Sequence, residues 1–275
     1  MAPSPPPWGV ITRPLLGIRP PPAGLASPAG KMQGLPGSNA LYSSVGFWDG
    51  RYRADGPPRD WFGGLSSFGG LLEEQLRRED RLLVLGCGDS SLSYDLFQKG
   101  YTSITNIDYS PVCIEAMSRR HAHCHGMVWT IMDARALAFP NESFDVVLEK
   151  GTLDAMMVEE RDPWNVSPQT AALLDQVLKE VSRVLRPGGR FISITFAQPH
   201  FRKRHYAQPG YSWSISCSTY GTDFHFFFYI MRKGEELSAE DLELGQKLWQ
   251  PNIVPPPSGM LEAEANEDYL NAIEL

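Results

Sequence analysis

Leu82-Leu83-Val84-Leu85-Gly86-Cys87-Gly88-Asp89-Ser90-Ser91 is the stretch on which the reading of this chain turns. The apolar run over 81–85, ending at a glycine, reads as a buried strand. Gly86 and Gly88 let the backbone turn sharply and let a ligand come close, although a tight turn with no ligand would use the same glycines. Position 91, where a dinucleotide-binding loop carries its third glycine, is Ser, which disfavours NAD and FAD. Asp108 ends a second apolar run, where a carboxylate can accept two hydrogen bonds from ribose hydroxyls. Together these features point to a nucleoside ligand with no required phosphate.

The flanking sequence extends the pattern. Residues 66–78 read as a helix capped by Ser66 or Ser67, and 90–99 as the helix after the glycine turn. A second strand covers 104–107, and 111–121 is a helix with Pro111 in its first turn. Strands follow at 128–132 and 144–148. A long amphipathic helix over 169–185 is stopped by Pro187-Gly188-Gly189, and 190–196 is a fifth strand. Residues 213–219 and 224–232 form a closing pair joined around Gly221. Strands alternating with helices predict a parallel sheet covered on both faces, and the closing pair adds an antiparallel hairpin at its edge. The fold class is therefore α/β, a Rossmann-like sheet of seven strands.

Composition narrows the function. At 275 residues and 42% hydrophobic content, the chain can build one domain with a large core plus tails. A net charge of -7 gains nothing from the counterion release that drives nucleic-acid binding, so no nucleic acid is expected. Such a charge suits a basic partner, or simply solubility. The four cysteines Cys87, Cys113, Cys124 and Cys217 form no C-x-x-C pair, which fits a reducing compartment. No apolar run approaches the roughly 20 residues that span a bilayer, so no membrane is expected. His121-Ala122-His123-Cys124-His125 looks like a metal site, yet no second cluster completes a tetrahedral set, and no metal is expected. Phe201-Arg202-Lys203-Arg204-His205 is a basic patch that either recognises acidic or phosphate groups or lies in a solvated loop.

The string 82–88 followed by Asp108 resembles the class I S-adenosylmethionine-dependent methyltransferases. Met132-Asp133-Ala134, Phe144-Asp145-Val146-Val147-Leu148 and Arg186-Pro187-Gly188-Gly189-Arg190-Phe191 resemble later segments of the same pattern. Glu149-Lys150-Gly151-Thr152-Leu153-Asp154, with Asp60-Trp61-Phe62 upstream and Ser212-Trp213 downstream, is similar to the methyltransferase-like 13 type. The resemblance covers 45–275. It implies S-adenosyl-L-methionine as cofactor and S-adenosyl-L-homocysteine as product. Gly86, Cys87 and Gly88 would cradle the methionine part, Asp108 the ribose, and Asp133 and Ala134 the adenine, with Tyr109 also at the cofactor. Lys150 would stand at the cofactor, under an aromatic lid of Trp48, Tyr52 and Trp61. It also implies a protein lysine as acceptor, on translation elongation factor 1 alpha. A monomer is expected.

Methyl transfer needs nucleophile, methyl and sulfur in line, so positioning supplies much of the rate. A lysine must also be neutral, which costs about 4 kcal/mol near pH 7.4 from a reference pKa of about 10.4. Glu149, at the end of the fourth strand where ligands meet open α/β sheets, is the candidate for orienting the amine, with Asp154 second. The competing readings are a Glu149–Lys150 surface pair and an Asp154 helix cap. Aromatic rings attract a sulfonium by roughly 0.5–2 kcal/mol, or the three lid residues merely pack. The chain has no Asn/Asp-Pro-Pro-Tyr/Phe stretch after the fourth strand, which argues against glutamine and DNA-adenine acceptors. A small-metabolite methyltransferase and a non-catalytic cofactor-binding scaffold are the alternatives.

Residues 1–40, rich in Pro and Gly, are expected to be disordered, with 41–233 as the methyltransferase domain. Residues 234–275 carry a helix over 238–248, a Pro-rich linker over 250–258 and an acidic end. The first 48 residues lack acidic groups and carry Arg13, Arg19 and Lys31, as transit peptides do, but Pro5-Pro6-Pro7 and Pro20-Pro21-Pro22 interrupt the required helix. A cytoplasmic location is expected, with a mitochondrial one as the alternative. Met32 is a second candidate start.

Overall fold

The computed structural model describes residues 39–54, 60–222 and 224–249. The expected disorder over 1–40, apart from its last two residues, and the whole of the Pro-rich linker and acidic end lie outside the described residues. Seven strands form one sheet: β1 (Leu82–Leu85), β2 (Ile104–Asp108), β3 (Met127–Ile131), β4 (Phe144–Lys150), β5 (Leu185–Thr195), β6 (Trp213–Tyr220) and β7 (Phe226–Lys233). Their order is β3-β2-β1-β4-β5-β7-β6. The first five pair in parallel, and β7 runs antiparallel between β5 and β6. This is the mostly parallel sheet with an antiparallel edge hairpin that the sequence predicts.

Each face of the sheet takes alternate side chains of the same strands, because successive residues of a strand point to opposite sides. Leu82, Val84, Val146 and Leu148 face one core, with Phe68 and Leu72 of α2 (Leu65–Glu73), Leu96 of α3 (Leu92–Gln98) and Met117 of α4 (Pro111–Arg120). Leu83, Leu85, Val147 and Phe191 face the other, against Leu174, Val177, Leu178 and Val181 of α6 (Pro168–Val184). Both faces of β1 are covered, hence its unbroken apolar run. Each of these buried aliphatic side chains contributes about 1.5–3 kcal/mol.

The remaining helices are α1 (Val45–Arg53), α5 (Thr152–Met156), α7 (Pro199–Tyr206) and α8 (Ala239–Gln246). Among the described residues no helix is long and apolar enough to cross a membrane. Three sequence expectations need correction. First, the helix expected over 66–78 starts at Leu65 behind Gly64, with neither serine as cap, and stops at Glu73. Beyond it the Asp80 carboxylate accepts from the Arg77 N–H at 2.9 Å and pairs with the Arg190 guanidinium at 2.8 Å, which holds a turn there. Second, Pro187-Gly188-Gly189 does not end α6. The helix passes directly into β5 at Leu185, and the three residues form an irregularity where the β4–β5 register jumps from Phe144↔Leu185 to Val146↔Arg190. Third, the basic run 201–205 is neither a loop nor an exposed patch. It lies in α7, with Arg202, Arg204 and His205 buried. Arg204 donates to the Trp164 and Lys247 carbonyls at 2.8 and 2.7 Å, and Lys203 pairs with Asp241 of α8 at 2.8 Å. Burial among these cations lowers the His205 imidazole to about 3, so it is neutral.

β1 has β2 on one side and β4 on the other, so the chain order reverses beside it. A crevice opens at such a point, at the carboxyl ends of the strands.

Candidate active site

A cavity of about 310 Å³ lies at those strand ends, bordered by Gly86, Cys87, Gly88, Asp108, Tyr109, Asp133, Ala134, Lys150 and Asp154 and roofed by Trp48, Tyr52 and Trp61. The fold thus brings together every residue expected at the cofactor, together with Asp154; Glu149 is not in the wall. Gly86 has φ +58°, and a Cβ there would stand 2.4 Å from Thr152 Oγ1. That hydroxyl donates to the Leu85 carbonyl at 2.9 Å. Close packing of α5 on the β1 turn therefore requires this glycine, which also lines the cavity. Gly88 has φ +52° and does leave bare backbone at the cavity, with the Tyr52 hydroxyl 3.2 Å from where a Cβ would be.

Asp108 is held at the end of β2. Its Oδ2 accepts from the Gly88 N–H at 3.1 Å and its Oδ1 from the Ser110 N–H at 2.9 Å. Burial pushes its carboxyl up, and the two backbone donors hold it back. Each oxygen retains a free lone pair for a further donor. At the next strand end Asp133 is clamped by Arg135, through contacts of 2.5–2.9 Å that keep its carboxyl low. Ala134 is buried and Tyr109 is exposed, and both line the cavity.

The Asp60-Trp61-Phe62 string proves to be the hub of the opposite wall, which sequence reading did not foresee. Ser90 and Ser91 both donate to the Asp60 carboxylate, Ser91 at 2.8 Å. Lys150 Nζ donates to Asp60 at 3.3 Å and to the Trp61 carbonyl at 2.8 Å. Burial would raise the Asp60 carboxyl, but Lys150 and the two serines outweigh it and hold it low. The position lacking the third glycine thus carries a hydroxyl that ties the turn to this wall. Trp48 stacks on Tyr52 at 5.8 Å, and Trp61 meets Trp48 edge-on at 6.3 Å. The Arg51 guanidinium stands 5.7 and 5.8 Å from the two indoles. The three rings both pack on one another and roof the cavity.

The two candidate carboxylates, Glu149 in β4 and Asp154 in α5, are placed differently. Glu149 is buried behind the wall, where Ser193 Oγ and the N–H groups of Thr152 (3.1 Å) and Leu153 (3.3 Å) donate to it. It accepts from the first N–H groups of α5, forms no surface pair with Lys150, and does not line the cavity. Asp154, one turn further, borders the cavity. Its Oδ1 accepts from Arg202 at 2.5 Å and Thr195 at 2.6 Å, while its Oδ2 is buried with no partner. An unpartnered buried acceptor costs roughly 1–3 kcal/mol, the kind of expense found where a ligand supplies the missing donor.

Burial and the Asp154 charge push the Glu149 carboxyl up to about 7. A raised carboxyl binds its proton more tightly in the folded than in the unfolded chain, so its contribution to stability falls as pH rises from about 4.5 to 7. A shift of that size is worth roughly 3 kcal/mol. Glu149→Gln removes this dependence. The Tm of the variant relative to the parent is expected to rise by several degrees between pH 5 and 7.5, read by scanning calorimetry; a constant difference would contradict the assignment.

Among the described residues, one group of three potential metal ligands lies close together, the ligand atoms of Cys87, Asp108 and Cys113 falling within 4.8 Å of one another. Burial raises the Cys87 thiol, so it is protonated. His121, which caps the end of α4, instead stacks between Tyr94 of α3 and Trp129 of β3, at 4.9 and 5.7 Å.

These elements border one cleft at a switch point of the sheet, with the carboxylates of Asp108 and Asp154 both in its lining. The family described as methyltransferase domain matches residues 76–238, and the chain belongs to it. It is 54% identical over 243 residues to the EEF1A lysine methyltransferase 4 of Mus musculus, covering 88% of this chain and 95% of that protein. The protein of the same name in Bos taurus is 52% identical over 250 residues, 90% of this chain and 98% of that one. An eEF1A lysine and N-terminal methyltransferase of Bos taurus is 37% identical over 182 residues, which are 64% of this chain and 25% of that protein.

Proposed function

We propose that this enzyme methylates a lysine of translation elongation factor 1 alpha, with S-adenosylmethionine as donor. The observation that carries the reading is one cavity whose lining holds both Asp108 and Asp154. The names of the relatives supply the acceptor. The residues fit the donor. The cavity lies at the lower end of the roughly 300–1,000 Å³ usual for small-molecule sites. Asp108 retains acceptor capacity for ribose hydroxyls, Gly88 leaves backbone where a side chain would intrude, and Asp133 and Ala134 border the adenine end. When bound, the donor supplies a methyl on a positive sulfur, which an amine lone pair displaces while sulfur keeps the bonding electrons.

The chain's own groups do the rest. Trp48, Tyr52 and Trp61 exclude water from the roof and present aromatic faces to a cation. The apolar side chains of Met156, Val158 and Leu173 border the cavity too, and a lysine's methylene stem suits such a surface. Asp154 offers an acceptor oxygen to the amine. The net charge of -7 favours encounter with a basic surface.

Trp48→Ala and Trp61→Ala are each expected to weaken S-adenosylmethionine binding by about 2- to 30-fold in folded protein, the range of one cation–aromatic contact. Unchanged affinity by calorimetry would leave these rings a packing role only. The function itself is tested by incubating the enzyme with methyl-labelled donor and purified elongation factor 1 alpha. Label on a lysine, located by mass spectrometry, is expected. Label confined to small molecules in a cell extract, or none despite donor binding, would refute the assignment.

A further inference from the structure

The cluster behind the cavity wall bears on how an amine is received there. Asp154 Oδ1 takes two donors, Arg202 Nη2 at 2.5 Å and Thr195 Oγ1 at 2.6 Å, and Oδ2 takes none. Arg202 Nη2 also reaches Thr195 Oγ1 at 3.2 Å, so carboxylate, guanidinium and hydroxyl form a closed triangle. Arg202 is 2% exposed and stands in α7, behind Asp154 and outside the cavity wall. The pair spans α5 and α7, and Thr195 ends β5, so two other elements hold a carboxylate carried by α5.

Asp154 feels the charges of Glu149 from β4, Tyr206 from α7 and Tyr220 from β6, and the cation hydrogen-bonded to it is Arg202 of α7. An isolated carboxylate in a buried pocket would bind an ammonium tightly and keep it protonated, which blocks its lone pair. A carboxylate already paired with a guanidinium is close to neutral as a unit. It can still accept one hydrogen bond, but it has little electrostatic preference for the charged amine.

We propose that Arg202 is the positioning residue of the acceptor site: with Thr195 it fixes Asp154 through Oδ1, leaves Oδ2 to accept from the amine, and balances the charge so that the amine is held neutral. This rests on the methyl-transfer reading above. The amine's proton goes to solvent on binding, and Asp154 takes none.

The test uses two probes that need no turnover. One is S-adenosylhomocysteine. The other is its analogue with the sulfur replaced by carbon and an aminomethyl arm added, which places an amine beyond the donor site. For the parent enzyme, the affinity ratio of armed to unarmed probe is expected to rise close to tenfold per pH unit from pH 7.5 to 9, the signature of one proton lost on binding. In Arg202→Met the ratio is expected to become flat, with the amine bound as ammonium. Arg202→Lys covers the case in which that variant does not fold. It keeps the charge and is expected to retain the slope, while kcat for the protein substrate falls about tenfold and KM stays within about twofold.

A flat ratio in the parent enzyme overturns the proposal, as does an unchanged slope in Arg202→Met, or a loss in Arg202→Lys confined to KM or Tm. If the parent binds neither probe, the methyl-transfer reading itself falls and takes the proposal with it. If it binds S-adenosylhomocysteine but shows no slope, only the proposal falls.

Discussion

Asp108→Ala is expected to weaken binding of S-adenosylmethionine and S-adenosylhomocysteine by about 100-fold or more. The carboxylate would accept two charge-assisted hydrogen bonds from the ribose, each worth roughly 1.5–3 kcal/mol, and alanine accepts none. The same side chain also holds the Gly88 and Ser110 N–H groups, so the turn that cradles the ligand loosens in the variant. Asp108→Asn separates the two effects. It keeps the shape and one backbone acceptor, and is expected to lose about 10-fold or more. Calorimetric titration with S-adenosylhomocysteine, on protein whose melting transition remains cooperative, reads both. Affinity within threefold of the parent for the alanine variant would place the ribose elsewhere.

The second large effect is expected at Asp154. In Asp154→Asn the donors from Arg202 and Thr195 hold the amide oxygen at the Oδ1 position, so the amide nitrogen takes the place of Oδ2. An acceptor facing the incoming amine becomes a donor. The turnover number is expected to fall about 100-fold or more, the scale on which misalignment at a reacting centre is felt, with donor affinity within threefold. The variant also leaves Arg202 buried beside a neutral partner, and removing one member of a buried pair costs roughly 3–5 kcal/mol. Turnover is therefore measured at a temperature where circular dichroism reports folded protein. Full activity there would remove Asp154 from the acceptor site.

The contrast between Asp154 and Glu149 marks where local sequence stops being informative. Glu149 is the penultimate residue of β4 and Asp154 lies in α5 just beyond it, and the strand-end rule favours Glu149 as the reactive carboxylate. The structure turns Glu149 inward because Ser193 and the first N–H groups of α5 need an acceptor, and because Gly151, at φ +76°, reverses the chain between the two residues. Neither condition has a local signature. The run 201–205 misleads for a related reason. Arg202, Arg204 and His205 are buried, Arg202 donating to the carboxylate of Asp154 and Arg204 to the carbonyls of Trp164 and Lys247. Asp60 is legible only as part of a family-like string. Its service to Ser90, Ser91 and Lys150 follows from the wall it enters, 30 and 90 positions away from Ser90 and Lys150.

Strand periodicity, the glycine turn after β1 and the acidic end of β2 were sufficient to place the sheet and the cleft at its carboxyl edge, because each depends on neighbours within a few residues and on the burial of one continuous apolar run. The chemistry of the acceptor end depends instead on groups that meet across the fold, Asp154 with an arginine 48 positions on and a threonine 41 positions on. A carboxylate's charge and its open lone pair are set by what surrounds it at 3 Å, and that environment exists only once the helices have packed.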